Sequence, residues 1–198
     1  MQNLLKSSKS DLLRLSITLF VISGVMAFLV ALVNNITAPI IKTRNEQKVT
    51  DTLKTVMADA DSFEKYTFPE QSVLASDGKT VAIDGVWVAK KDGKTVGCCV
   101  KVGPTGYGGK IETIVAVSKE GKVVDASIVS MSETSGIGTK IKNEDFQAQF
   151  IGKSGNVSAQ SETVDVISGA TKSSSAYIRG IDAALMVAQE CIGGDTVE

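Results

Sequence analysis

The sequence predicts an α+β fold in which a single N-terminal transmembrane helix precedes a domain made of a small antiparallel sheet and packed helices. Three observations indicate this fold. Residues 15–33 form an apolar run without a charge. The middle of the chain alternates apolar and polar residues around short turn motifs, and its last segment repeats apolar residues at helical spacing. The 198 residues of the chain suit one such domain and its anchor.

The apolar run has the length of a membrane span. At the rise of an α-helix, residues 15–33 extend over roughly 28 Å, close to the thickness of a bilayer core. Arg14 precedes the run, and Lys42 is the next charged residue after it. A cleaved signal peptide is the alternative, but its apolar run would be shorter and would end in small residues. Here Ala38 is followed by Pro39, and the pattern favours a retained anchor.

The chain is expected to have four parts: a short tail (1–14), a transmembrane helix (15–38), a stalk helix (39–58) and a domain (59–198). Pro39 indicates a helix restart or a kink at the start of the stalk. Basic residues on the two sides of the span are nearly balanced, so the positive-inside rule leaves the orientation open. These residues are Lys6, Lys9 and Arg14 before the span and Lys42, Arg44 and Lys48 after it.

Beyond the span, hairpin signals give way to helical periodicity. The turn sequences Lys91-Asp92-Gly93-Lys94 and Lys119-Glu120-Gly121-Lys122 each separate two strand-like runs. Asn143 is a candidate N-cap and Gly193-Gly194 a candidate stop for the helices that follow. The predicted elements are a polar stalk helix at 40–58, a loop at 59–69, strands at 86–90, 95–102, 111–118 and 123–131, and helices at 143–150 and 174–192.

Composition excludes several kinds of function. A net charge of -1 gives no basic face for nucleic acid, so we expect no nucleic-acid partner. The absence of histidine rules out a Ser-His-Asp triad and a His-ligated haem, which leaves the chemistry to a cofactor. Cys98, Cys99 and Cys191 show no C-x-x-C spacing, so we expect buried apolar residues and no metal site.

The segment Ser168-Gly169-Ala170-Thr171 stands just before the last predicted helix. Its small residues let a bulky group approach the backbone, and a helix N-terminus favours an anion. A phosphate on or near the Thr171 hydroxyl is therefore chemically reasonable. The alternative is an ordinary helix start in which Ser173 or Ser174 caps the helix.

Two further loops could contact a ligand. The first, residues 103–109, is rich in glycine and could bind a phosphate or a ring through its backbone amides. The second, residues 132–139, offers Glu133 and Thr134 as hydrogen-bonding groups. Lys140 and Lys172 adjoin these motifs and could face a phosphate. For each loop and each lysine, the alternative is a solvated turn or surface residue.

Taken in order, three segments resemble the FMN-binding domain family. With the N-terminal span and the chain length, they are most similar to the G subunit of the Rnf electron-transport complex, to which the C subunit of the sodium-pumping NADH:quinone reductase is related. The segments are Gly106-Tyr107-Gly108-Gly109, Glu133-Thr134-Ser135-Gly136-Ile137-Gly138 and Asp165-Val166-Ile167-Ser168-Gly169-Ala170-Thr171.

The resemblance implies a covalent cofactor. In this family FMN is joined by a phosphoester to the last threonine of the third segment, which is Thr171 here. A separate flavin transferase attaches it outside the cytoplasm, and Asp165 and Ser168 match positions that this enzyme reads. The resemblance therefore implies a single-pass protein of the cell membrane with a cytoplasmic N-terminus, an extracytoplasmic FMN-binding domain and contact with the lipid bilayer.

The resemblance also implies ligand contacts. Backbone groups of the first and third segments would hold the ring and ribityl chain, and Glu133 and Thr134 would contact the ring. Ser135 and Ile137 stand where the family often has Pro and Leu, so that loop is expected to be looser. The expected cofactor-binding residues are Thr171, Ser168, Gly169, Ala170, Tyr107, Gly108, Gly109, Glu133, Thr134, Ile137, Gly138, Lys140, Lys172 and Ser173, with Asp165 as part of the flavinylation signal.

The implied function is electron transfer within a larger membrane complex. Such a complex moves electrons between ferredoxin and NAD⁺ and couples this to Na⁺ or H⁺ translocation. The chain would be a redox subunit of this oxidoreductase, with other membrane subunits as partners, and not an independent enzyme. The alternatives are a component like the C subunit of a Na⁺-translocating NADH:quinone reductase and a membrane-tethered assembly module without a redox role.

Overall fold

The computed structural model describes residues 2–157 and 164–194, which belong to two compact units divided between Gln47 and Lys48. The elements in chain order are α1 (Gln2–Val56), β1 (Ser62–Tyr66), β2 (Ser72–Leu74), β3 (Thr80–Lys91), β4 (Lys94–Gly103), β5 (Ile111–Ser118), β6 (Val123–Met131), a 3₁₀ helix η1 (Gly138–Lys142), α2 (Glu144–Ala148) and α3 (Thr171–Gly194).

The first unit is formed by the part of α1 up to Gln47, whose apolar side chains lie exposed. Phe20 is 78% and Phe28 67% accessible. By length and composition this helix can cross a membrane, with a mean hydropathy of 2.5 in its most apolar window. Of the two expectations for Pro39, the restart is wrong, because α1 continues through this residue, and the kink stays a prediction. A proline removes one helical hydrogen bond, and a long apolar helix tolerates that loss.

The second unit contains an antiparallel sheet with the strand order β1-β3-β4-β5-β6, and β2 pairs with β3 beside this path. The four predicted strands are confirmed as β3 to β6, although β3 begins earlier, at Thr80. In the β3–β4 turn, Asp92 and Gly93 have φ values of 49° and 74°, as expected for the predicted Asp-Gly hairpin. The predicted loop at 59–69 is wrong in part, because it contains the short edge strand β1.

The sheet buries both of its faces. One face packs against α3, and the other against Leu53 and Val56 from the end of α1 and Met57 just after it. Neighbouring residues of a strand point to opposite faces, so Cys98 faces the α3 side and Cys99 the α1 side. The expectation of buried cysteines is confirmed for all three.

The helices differ from the sequence pattern at their starts. Asn143 occupies the N-cap position of α2, but its side chain makes no capping hydrogen bond. The last helix begins at Thr171, three residues before the predicted start, because the Ser174 N–H already donates to the Ala170 carbonyl at 2.9 Å. Gly194 ends this helix. The sequence pattern also missed η1.

Candidate functional site

Three loops meet beside the N-terminus of α3: the β4–β5 loop, the loop after β6 and the turn that precedes α3. They enclose a cleft of about 510 Å³, a size typical of sites for small organic ligands. Every residue that lines the cleft is among the cofactor-binding residues predicted from the sequence. These residues are Tyr107, Glu133, Thr134, Ile137, Gly138, Gly169, Ala170, Thr171, Lys172 and Ser173.

Glu133 connects two of these loops to the start of α3. Its Oε1 accepts a hydrogen bond from the Gly108 N–H at 3.0 Å, and its Oε2 accepts one from the Ser173 hydroxyl. Both carboxylate oxygens are therefore bound by the protein itself. The expected ring contact of Glu133 stays a prediction, but the structure gives this residue a connecting role that the sequence did not indicate.

Glycines allow this close approach of the loops. A Cβ at Gly106 would overlap the Glu133 carboxylate, and one at Gly138 would overlap both Glu133 and Ser173. A Cβ at Gly108 would overlap the Ser132 carbonyl. These three positions thus require glycine for packing between the loops.

The turn before α3 sets the position of Thr171. The Ala170 N–H donates to the Ile167 carbonyl at 2.9 Å, and Gly169 has a φ of 79°, the conformation that favours glycine in such a turn. The Ser174 hydroxyl accepts from the Ile167 N–H at 3.2 Å and donates to the Ala170 carbonyl at 3.0 Å. The turn is therefore fixed to the first turn of the helix.

Thr171 is exposed and is the first residue of α3, so the expectation that it stands before the helix is wrong by one position. Ser173 donates to Glu133 and Ser174 binds the preceding turn. Neither serine accepts a hydrogen bond from a helix amide among the described residues, which removes the ordinary capping alternative. The amides of the first helical turn have no helical partner, and Thr171 lies at this positive end.

Lys172 lies across the edge of the cleft. Its Nζ is 5.3 Å from the centroid of the Tyr107 ring, within the range of a cation–π contact. Tyr107 and Ile137 are 70% and 50% exposed. Two apolar side chains and one cation therefore border the entrance.

Five predicted residues lie outside this lining. Ser168 is exposed in the turn before α3, Gly109 belongs to the β4–β5 loop, and Lys140 is exposed on η1. The exposed Asp165 borders a different cleft of about 430 Å³, and its N–H donates to Gln149 Oε1 at 2.7 Å. The predicted Gly108 contributes its amide to Glu133.

A second cleft, of about 320 Å³, shares Thr171 and Lys172 with the first. Its lining includes Lys79 and Arg179, which the sequence did not indicate. Arg179 is buried, and its Nε donates to Asp77 Oδ2 at 2.7 Å. Burial alone would raise the pKa of Asp77, but the hydrogen bonds from Arg179 and the Lys79 amide and the charges of these two residues outweigh it. The pKa of Asp77 is therefore lowered.

The larger cleft fits a flat, partly apolar cofactor with a phosphate. It has an aromatic and an aliphatic side chain at its entrance, glycine backbone along its wall, and a hydroxyl beside a helix N-terminus. A family model described as the FMN-binding domain matches residues 106–186, which include all of these features. The chain therefore contains an FMN-binding domain.

Similar proteins define the family more closely. The chain is 33% identical to the G subunit of the proton-translocating ferredoxin:NAD⁺ oxidoreductase complex of Clostridium ljungdahlii, over 91% of each chain. It is 32% identical to the G subunit of the Na⁺-translocating complex of Acetobacterium woodii, over 89% of this chain and 91% of that one. The chain belongs to the family of G subunits of ion-translocating oxidoreductase complexes. This membership and the apolar α1 support association with a membrane.

Among solved structures, NqrC of Shewanella oneidensis is similar to this chain. The similarity covers 71% of this chain and 72% of that one, with 17% identity and a TM-score of 0.47.

Proposed function

We propose that this chain is the FMN-carrying electron-transfer subunit of a membrane complex that couples electron transfer between ferredoxin and NAD⁺ to translocation of Na⁺ or H⁺. The observation that carries this proposal is the convergence of the three loops on one cleft beside the Thr171 hydroxyl. Family membership supports the wider assignment, including other subunits of the complex as partners.

FMN is attached, in this proposal, by a phosphoester to Thr171. The hydroxyl is exposed, borders the cleft and makes no hydrogen bond among the described residues. It also lies at the positive end of α3, where a phosphate is stabilised. A covalent bond prevents loss of the cofactor from a domain that faces a dilute compartment.

The side chains of the cleft would hold the cofactor and shield it. When bound, FMN supplies the transfer of one or two electrons at a time. Tyr107 and Ile137 would cover the apolar ring, and Glu133 would keep the loops in place through its two hydrogen bonds. Thr134, Gly138 and the backbone of residues 169–173 would complete the wall.

Asp165 and Ser168 have a different proposed role. Both are exposed and neither lines the cleft, which suits recognition by a flavin transferase better than contact with FMN. Lys140 and Gly109 also lie outside the lining, so we assign them no direct contact with the ring.

The proposed topology follows from the proposed attachment. Residues 1–14 would form a cytoplasmic tail, 15–38 the transmembrane helix in contact with lipid, 39–58 a stalk, and 59–198 an extracytoplasmic domain. The exposed apolar side chains of α1 support the lipid contact.

The test is flavin fluorescence after denaturing gel electrophoresis of protein co-expressed with a flavin transferase. We expect a fluorescent band for the wild type and for Thr134→Ala, which removes another hydroxyl of the same cleft. Thr171→Ala should give no fluorescence, and neither should wild type expressed without the transferase. Fluorescence that persists in Thr171→Ala would refute the attachment site, and a dark wild-type band despite active transferase would favour the assembly-module alternative.

A further inference from the structure

The second cleft, at the N-terminal part of α3, is lined by three cationic side chains. Lys79, Lys172 and Arg179 border it together with Ser175 and Thr171. No carboxylate is part of this lining among the described residues. The concentration of positive charge in a concave site of about 320 Å³ favours an anionic ligand.

The fold fixes the guanidinium of Arg179 and the backbone of Lys79. The buried Arg179 is bound to Asp77 through Nε, which leaves the two terminal amino groups of the guanidinium outside that bond. One turn further along α3, Asp182 accepts hydrogen bonds from the amide and hydroxyl of Ser76, at 3.0 and 2.6 Å. The turn of residues 75–79 is thus fixed to α3 at two points, and it carries Lys79 to the cleft.

In the part of the chain that the structure describes, the Asp77 carboxylate is the one that forms ion pairs with these cations. Its Oδ2 is 4.0 Å from Lys79 Nζ and 2.7 Å from Arg179 Nε. Three positive charges against one negative charge leave an excess that a further anion can neutralise. Guanidinium groups bind phosphate oxygens in a planar geometry, and lysine adds a mobile point charge.

We propose that this cationic cleft binds the phosphodiester of FMN esterified to Thr171, through Lys79, Lys172 and Arg179, while the ring lies in the larger cleft. The inference rests on the proposed function. Both clefts share Thr171 and Lys172, so a group bonded to the Thr171 oxygen can extend into either of them. The phosphate carries the negative charge of the cofactor, and the ring provides its apolar surface. The second cleft is correspondingly lined by cations, and the larger cleft has Tyr107 and Ile137 at its entrance.

The first experiment uses inorganic phosphate as a probe. Full-length protein made without the transferase is titrated with phosphate at constant ionic strength, and amide NMR shifts are followed at Lys172 and Ser175. We expect saturable shifts that weaken several-fold in Lys79→Gln and in Lys172→Gln. Lys94→Gln, which changes an exposed lysine at the start of β4, should bind as the wild type does. Equal binding by all variants would overturn the proposal.

The second experiment uses flavinylated protein, in which the cleft should already be occupied. We expect phosphate to cause no saturable shifts there, and the ³¹P resonance of the diester to move in Lys79→Gln but not in Lys94→Gln. Undiminished phosphate binding to flavinylated protein would show that the cleft takes another anion. This result would overturn the inference about the second cleft but not the proposed function. Absence of covalent flavin from wild type made with active transferase would instead refute the proposed function.

Discussion

Glu133 shows how one residue can organise a cofactor site without reacting. Its carboxylate accepts hydrogen bonds from the β4–β5 loop and from α3, while its own backbone belongs to the loop after β6. Glycine at positions 106 and 138 leaves the space that this carboxylate fills. The sequence indicated Glu133 as a ligand contact, because a motif does not reveal which partners a side chain meets after folding.

Replacing Glu133 with alanine should loosen the cleft. The Gly108 amide and the Ser173 hydroxyl would each lose an acceptor, so we expect the free energy of unfolding of unflavinylated protein to fall by about 1–3 kcal/mol. Glu133→Gln retains an acceptor for the Gly108 amide and should lose less. Urea unfolding followed by circular dichroism measures both. Glu70→Ala, at an exposed loop position, is the control, and a loss as large there would argue against the connecting role.

The three cysteines should be inert in the folded protein. A hydrogen bond with Cys191 and burial raise the pKa of Cys98, and burial together with the charge of Cys191 raises the pKa of Cys99 to about 12. Since the thiolate is the reactive form, iodoacetamide at pH 8 should leave native protein unmodified. Mass spectrometry should find three modifications after denaturation, and rapid labelling of native protein would contradict the buried positions.

At the scale of elements, strong local sequence patterns predicted the secondary structure correctly where the packing of the domain agreed with them. The hairpin at Asp92-Gly93 and the strands β3 to β6 followed from alternation and turn residues. β1 was missed because only two of its five residues are partly buried, so it lacks a clear apolar alternation. The early start of α3 was missed because it depends on the Ser174 hydroxyl bound to the preceding turn, a contact that spacing alone does not predict.

Gly138 at the start of η1 offers a test of this packing. In Gly138→Ala the new Cβ would overlap Glu133 and Ser173, so the two side chains must move or their hydrogen bond must break. We expect a loss of about 1–3 kcal/mol in unfolding free energy and a lower fraction of covalent flavin. Gly193→Ala, where a Cβ meets no atom within 4 Å, should leave both unchanged. Equal stability of the two variants in urea would contradict the close approach.

At the scale of the whole domain, the second cleft depends on residues far apart in sequence. Arg179 and Asp77 are 102 positions apart, and no local motif connects them. The sequence therefore predicted the residues that line the larger cleft, which lie in or next to three compact motifs, but not Lys79 or Arg179. Only the placement of α3 beside the turn of residues 75–79 brings them to Thr171.

The Asp77–Arg179 contact should make stability depend on pH. The pKa of Asp77 is lowered in the folded state, so its contribution is present above the unfolded pKa of about 3.9 and is lost as pH falls through the lower folded value. Asp77→Asn should therefore lower the melting temperature at pH 7, and this difference should disappear once the pH falls below the lowered folded-state pKa of Asp77. Asp59→Asn, at an exposed carboxylate, serves as the control. A melting-temperature difference that persists at low pH would point to packing and not to charge.

Orientation in the membrane is a property of the whole chain, and the nearly balanced basic residues around the span leave it open. The proposed attachment by an extracytoplasmic transferase requires the FMN-binding domain to lie outside. We expect Lys94→Cys to react with a membrane-impermeant maleimide in intact cells, and Ser8→Cys to react only after permeabilisation. The native cysteines are buried, so the wild-type chain should give no background. The reverse labelling pattern would refute the proposed topology and, since the transferase could not then reach Thr171, the attachment itself.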